Sequence, residues 1–157
     1  MTASIGEVAT RFHTLEGPVR LLGGEVLDEV TLAYEVYGDL DEAGDNAVLL
    51  FHALTGSQHA AGVNPAVPGV GERWTDEMQT GWWDGYIGPR KAIDTDRFAV
   101  ICVNYLGGCY GSTGPASPDP ATGRPYGSRF PRLTLADVVD VQVRLLDHLG
   151  IERLHAV

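Results

Sequence analysis

The stretch Phe98-Ala99-Val100-Ile101-Cys102-Val103-Asn104-Tyr105-Leu106-Gly107-Gly108-Cys109-Tyr110-Gly111-Ser112-Thr113-Gly114-Pro115 decides how the rest of the chain is read. Its first six residues are apolar, with charge before them and glycines after them. Such a run predicts a strand buried on both faces. Asn104 ends the run, and a loop dense in glycine follows. A chain that leaves a buried strand into so many glycines is making turns that side chains would forbid. In open α/β sheets, ligands sit at the carboxyl ends of the strands. The loop is therefore either a tight structural turn or the rim of a site, and both readings stand at this point.

Working outward, a second apolar run, Ala47-Val48-Leu49-Leu50-Phe51, predicts a central strand that feeds directly into His52-Ala53-Leu54-Thr55-Gly56. Before it, Val30–Tyr37 is rich in β-branched and aromatic residues. There Leu32, Tyr34 and Val36 alternate with Thr31, Ala33 and Glu35, which predicts a half-buried strand. Val19–Leu22 is short and apolar, and Gly23-Gly24 supplies a tight turn. Residues 1–17 read as a loose arm or a first edge strand.

Downstream of residue 56, the region Ser57–Thr80 is long and irregular. Connections of that length are commonly functional or mobile. Gly81–Pro89 sets Trp82, Trp83 and Tyr86 among glycines, as a loop packed by its rings or as a pocket wall. Lys91–Arg97 is a charged turn. Irregular chain continues through Pro131, and then Thr134 offers an N-cap with Asp137 three residues on. Leu135, Val138, Val139, Gln142, Leu145, Leu146 and Leu149 follow at helical spacing, and Gly150 closes the helix. Leu154–Val157 opens a further strand. A buried strand, a helical crossover and another strand make a βαβ unit, so the fold class is α/β with an antiparallel beginning and a parallel continuation.

Bulk properties narrow the function. The chain has 157 residues, enough for one domain with a real core. A formal charge of −10 excludes a basic nucleic-acid-binding face. Cys102 and Cys109 give neither a disulfide framework nor a zinc spacing. Residues 1–17 lack the apolar core of a secretory leader, and no apolar run reaches membrane-spanning length. A cytoplasmic protein with no membrane or nucleic-acid partner is the expectation.

Five motifs come in fixed order: HALTG at 52–56, GWWDGYIGP at 81–89, AIDTDRF at 92–98, NYLGGCYGSTGP at 104–115 and FPRLTLADVVDVQVRLLDHLGI at 130–151. Together they resemble the homoserine O-acetyltransferases, acyltransferases of methionine biosynthesis with the α/β-hydrolase fold. The resemblance implies an incomplete α/β-hydrolase fold, with residues 1–157 as the amino-terminal portion of one domain. In that family the strand starting at Leu154 runs into a nucleophile elbow. The elbow, the triad's Asp and His, the lid and the Arg that holds the substrate carboxylate are then expected beyond Val157, and no residue here takes those roles. Arg90 departs from the family, where glycine is more usual after GP, and little consequence is expected on a surface loop.

The resemblance also implies roles. The Leu54 backbone N–H would be the oxyanion donor of the loop after the third strand. Thr55 and Gly56 would shape that hole, and Gly107 and Gly108 would line the entrance for the acyl group or coenzyme A. L-Homoserine and acetyl-CoA would be the substrates, the latter as co-substrate with no bound cofactor and no metal. The full-length form would be a homodimer. Trp82 and Trp83 are candidates for excluding water from the acyl group. His52 is expected to fix its loop rather than act as a base, because a base needs an adjacent nucleophile and an orienting acid. Ser4, Ser57, Ser112, Ser117 and Ser128 all lack an elbow pattern, so the chain alone is expected to be inactive. The alternatives are a succinyl donor, a serine acceptor, an esterase of the same fold, or a non-catalytic truncated chain.

Overall fold

The computed structural model of the chain describes residues 4–157. In chain order, β1 is Arg11–Thr14, β2 Val19–Arg20, β3 Val26–Leu27, β4 Thr31–Tyr37 and β5 Ala47–Leu50. Then come β6 at Ile87–Gly88, β7 at Ile93–Asp94, β8 at Ala99–Val103 and one α-helix, α1, at Leu135–His148.

The main sheet has the order β1-β4-β8-β5. β4 is antiparallel to both β1 and β8, while β8 and β5 run parallel. On the free side of β5, His155 N–H donates to Ala47 O at 2.7 Å and Leu49 N–H to Ala156 O at 3.1 Å. This is a parallel bridge, Val48 with Ala156, where a strand was expected over Leu154–Val157. The early arm resolves into an edge strand. The Gly23-Gly24 turn joins β2 to β3, and the charged turn at 91–97 contains β7, which pairs with β6.

β8 lies between β4 and β5, and each of its five residues is buried. Successive side chains point to opposite faces of a strand. Ile101 and Val103 join Ala47, Leu49, Leu32 and Tyr34 on one face, where Val141, Leu145 and Leu146 of α1 cover them. Val100 and Cys102 join Tyr37 on the other face, against Ala60, Ala61 and Ile87. The long connection between β5 and β8 therefore does for one face what the helix does for the other. Beyond β6 and β7, its regular parts are two one-turn 3-10 segments, Gly71–Arg73 and Asp76–Met78.

That cover corrects the reading of β4 as half-buried. Its alternation is real, but both sides are inside the protein. Glu35, on the face expected to meet solvent, is 1% exposed. Its carboxylate accepts from Thr10 Oγ1 (2.8 Å), Tyr37 OH (2.6 Å) and Asn64 Nδ2 (2.8 Å), and pairs with His59 Nδ1 at 2.8 Å. His59 Nε2 lies 2.9 Å from Gln79 O. Ala60 N–H donates to Tyr37 OH at 2.7 Å. Thr10, His59 and Asn64 are thus tied to one strand through Glu35, and burying them is tolerable because each found a partner there, although Oε1 of the neighbouring Gln58 is buried without one.

α1 begins as the sequence predicts. Thr134 Oγ1 accepts from Asp137 N–H at 3.2 Å, and Asp137 Oδ2 accepts from Thr134 N–H at 2.8 Å. Asp137 Oδ1 also accepts from Leu22 N–H at 2.8 Å, which moors the β2–β3 hairpin to the helix start. These backbone donors, Leu22's first, hold the Asp137 carboxyl below the usual carboxylate range. Thr134→Ala is expected to cost about 1 kcal/mol in urea unfolding, with Thr134→Ser close to neutral. A loss under about 0.3 kcal/mol would show that the cap bears little of the helix's stability.

The buried face of α1 is shifted from the predicted stripe. Val141, Gln142, Leu145 and Leu146 are buried, whereas Leu135 is 85% exposed and Val139 and Val143 are about half exposed. Arg90 is the one described non-glycine residue at positive φ, +58°. That left-handed conformation costs an L-residue with a Cβ roughly 1–2 kcal/mol, so the departure from glycine there carries a backbone strain that the sequence reading did not anticipate.

Candidate active site

A cleft of about 820 Å³ opens at the carboxyl ends of β5 and β8 and beside the first turn of α1. Three segments build it: Phe51–Gly56 after β5, Asn104–Tyr110 after β8, and Leu133–Val139 at the helix start. Its walls are mainly apolar, and the exposed Leu135 and Val139 belong to them. This is where an open α/β sheet places a ligand.

The 52–56 segment is a tight turn. Gly56 N–H donates to Ala53 O at 2.7 Å, which leaves the Leu54 amide outside the hydrogen bond that closes the turn. The Leu54 side chain is 92% exposed. A Cβ on Gly56 would come within 3.1 Å of Ala53 O and of the His52 Cβ, so the turn is this tight because position 56 has no side chain. His52 Nδ1 lies 2.7 Å from the same Ala53 O. A carbonyl only accepts, so Nδ1 carries the proton. Burial lowers the His52 pKa below its ordinary value, and the ring stays neutral. His52 thus fixes its own loop, as expected of it.

The loop after β8 faces this turn. Tyr105 OH donates to His52 O at 2.6 Å, and its ring stacks on the His52 ring with centroids 3.8 Å apart. Gly108 N–H donates to Tyr105 O and Gly107 N–H to Thr113 O, both at 2.8 Å. A Cβ on Gly108 would fall 2.7 Å from Asn104 Oδ1. Ser112, the serine of this loop, is spent on the sheet. Its hydroxyl donates to Asn104 O at 2.6 Å and accepts from Ala33 N–H at 2.9 Å. Among the described residues no serine hydroxyl pairs with a histidine ring, and no group of three or more His, Cys, Asp or Glu is placed to hold a metal.

The structure brings Leu54, Thr55, Gly56, Gly107 and Gly108 to one cleft. Trp82 and Trp83 do not line it. Their rings pack on each other at 5.2 Å, and Trp82 Nε1 donates to Ser57 O, so the structure supports the packing role. Cys102 is buried in the sheet, where burial pushes its thiol far up, while Cys109 is exposed at the rim. Sequence reasoning did not single out Tyr105 or Asn104. The available signal was their place directly after a buried strand.

No family model matches the sequence. Among curated proteins, a homoserine O-acetyltransferase of Methanococcoides burtonii is 53% identical over 154 residues, covering 98% of this chain and 30% of that protein. A homoserine O-succinyltransferase of a Nocardioides species is 54% identical over 159 residues, covering 99% of this chain and 40% of that protein. Among solved structures, esterase E22 superposes with a TM-score of 0.79 at 38% identity, and the homoserine O-acetyltransferase from Bacillus anthracis with 0.78 at 33%. Each covers 94% of this chain, which spans 39% of either structure. The chain thus spans between three and four tenths of the length of these relatives. With this sheet order and this cleft, the chain has the α/β-hydrolase fold, and along nearly its whole length it is similar to part of the homoserine O-acetyltransferases.

Proposed function

We propose that this chain supplies the oxyanion loop and the cleft floor of an acyltransferase that moves an acetyl group from acetyl-CoA to the hydroxyl of L-homoserine through an acyl-serine, in methionine biosynthesis. The observation that carries the reading is the 52–56 turn at the end of β5, with its Leu54 amide outside the closing hydrogen bond and the apolar cleft before it. Acyl transfer needs a donor placed where the oxyanion develops, and a backbone N–H held by a rigid turn meets that need without reorganising. Apolar walls keep water from the acyl group. The nucleophile comes from sequence outside these 157 residues, acetyl-CoA is a co-substrate, and no bound cofactor takes part. The working form is a homodimer in the cytoplasm.

A succinyl donor is the second reading, favoured by the O-succinyltransferase name of the Nocardioides relative. The test uses the full-length polypeptide that carries this chain. It is offered acetyl-CoA or succinyl-CoA, with and without L-homoserine, and the intact protein is weighed after quenching. Addition of one acetyl group to the protein, discharged by L-homoserine, is the expected result. Preferential succinylation would install the second reading. Discharge to water at the same rate with or without homoserine would make the protein an esterase, and no acylation would sink the proposal. The 157-residue chain alone, having no nucleophile, should show no turnover.

A further inference from the structure

We propose that Tyr105 is a positioning residue for the oxyanion loop: it clamps the 52–56 turn from across the cleft, through its hydroxyl on His52 O and its ring on the His52 imidazole. The inference rests on the acyl-transfer reading above and adds to it a residue on the neighbouring strand.

The geometry is specific. Tyr105 follows β8 by two residues and His52 follows β5 by two, and the two strands are paired in parallel, so their ends lie side by side. The Tyr105 O–H to His52 O bond is 2.6 Å, and the two rings are 21° from parallel at 3.8 Å. His52 hands that constraint on, because its Nδ1–H holds Ala53 O, the carbonyl that Gly56 N–H also uses to close the turn. One chain of contacts thus runs from the Tyr105 hydroxyl to the residue preceding Leu54. The 52–56 turn receives no side-chain hydrogen bond from any other described residue. Burial raises the Tyr105 pKa, so the phenol keeps the proton it donates. The segment needs such a support. Leu54 and Thr55 are exposed at the apex of the turn, and an apex without packing has little else to hold its amide still. Misplacement of a preorganised donor lowers transition-state stabilisation more than substrate binding.

The test is Tyr105→Phe in the full-length polypeptide that carries this chain. The change keeps the ring stack and removes only the hydroxyl. Turnover is expressed per acylatable site, counted from the acetyl-enzyme burst, so that partial unfolding does not register. The expected result is a fall in kcat of about tenfold with KM for acetyl-CoA within about twofold, because the lost contact acts on the donor and not on the thioester's binding site. Hydrogen exchange supplies a readout independent of activity. The amide of Gly56, whose bond to Ala53 O closes the turn, should exchange at least about tenfold faster in the variant, while those of Ile101 and Cys102 stay unchanged. Unaltered exchange at Gly56 overturns the clamp whether or not the protein transfers acetyl groups. Faster exchange with kcat per site unchanged overturns its link to the reaction. If the parent itself fails to acylate, the acyl-transfer reading falls, and the exchange comparison still decides whether Tyr105 holds the loop.

Discussion

His59→Ala is expected to destabilise the fold by about 3–5 kcal/mol, the scale on which a buried ion pair fails when one partner is removed. Both ring nitrogens of His59 face oxygen acceptors, Glu35 Oε2 and Gln79 O, and His59 and Glu35 are each 1% exposed. The truncation leaves a carboxylate and a carbonyl in the interior with one partner fewer each, and a hole where the ring was. It also unties the 57–80 connection from β4, and that connection covers Val100 and Cys102 through Ala60 and Ala61. For a domain of this size the loss corresponds to a fall in Tm on the order of ten degrees. Urea unfolding of the parent and variant at neutral pH checks it. Arg153→Ala is the control, because Arg153 and Asp45 form an ion pair in which both side chains are well exposed. Such pairs contribute about 0–1 kcal/mol. A His59→Ala loss no larger than the Arg153→Ala loss would show that the buried cluster is not what holds the connection in place.

On the proposed acyl-transfer reading, Leu54→Pro should abolish most of the acetyl transfer of the full-length polypeptide that carries this chain, while Leu54→Ala should not. Proline removes the backbone N–H and nothing else of the donor geometry can replace it. Loss of one oxyanion donor costs about 10²–10³ in kcat in enzymes where it has been isolated. The leucine side chain is almost wholly exposed in this chain and packs on nothing in the turn, so its truncation should change kcat by less than about fivefold. The measurement is kcat per acylatable site for both variants, with thermal unfolding alongside to confirm that the proline variant is folded. A proline variant that is folded and retains kcat within about fivefold would place the oxyanion donor elsewhere. An alanine variant as inactive as the proline one would mean that the side chain, and not the amide, is what the site uses.

The strands and the helix were legible because their signals are local. β5 and β8 announce themselves as unbroken apolar runs between polar boundaries, and α1 by a cap, a period and a closing glycine. Arg90 shows the limit of local reading, since its positive φ follows from a turn that the residue type argues against. Glu35 was not legible as a buried group. An alternating strand reports which residues share a face but not whether anything covers that face. The cover here is irregular chain more than twenty residues away, with no period to betray it. Leu135 and Val139 failed in the opposite sense, because helical spacing marks them as core although they border a cleft. The place of the cleft was legible in the glycine loop after a buried strand, but the role proposed for Leu54 only through resemblance. A backbone donor of the kind proposed at Leu54 leaves no trace in residue type, and the Tyr105–His52 contact joins two loops that the sequence keeps far apart.

The position of β8 sets the order in which the molecule can be assembled. Its registers join Tyr34 to Val103 on one side and Ala47 to Ala99 on the other, so the central strand is among the last in the sheet to leave the ribosome. Neither pairing can grow from a hairpin, and each must first close a long loop, which makes such sheets slow to form. Until β8 inserts, β4 and β5 each present an open edge, and Cys102 and Val100 are not yet there to close the apolar floor beneath the connection that carries His59. Refolding from urea is accordingly expected to be slow and concentration-sensitive, with the slow step being the insertion of one five-residue strand between two that are already waiting.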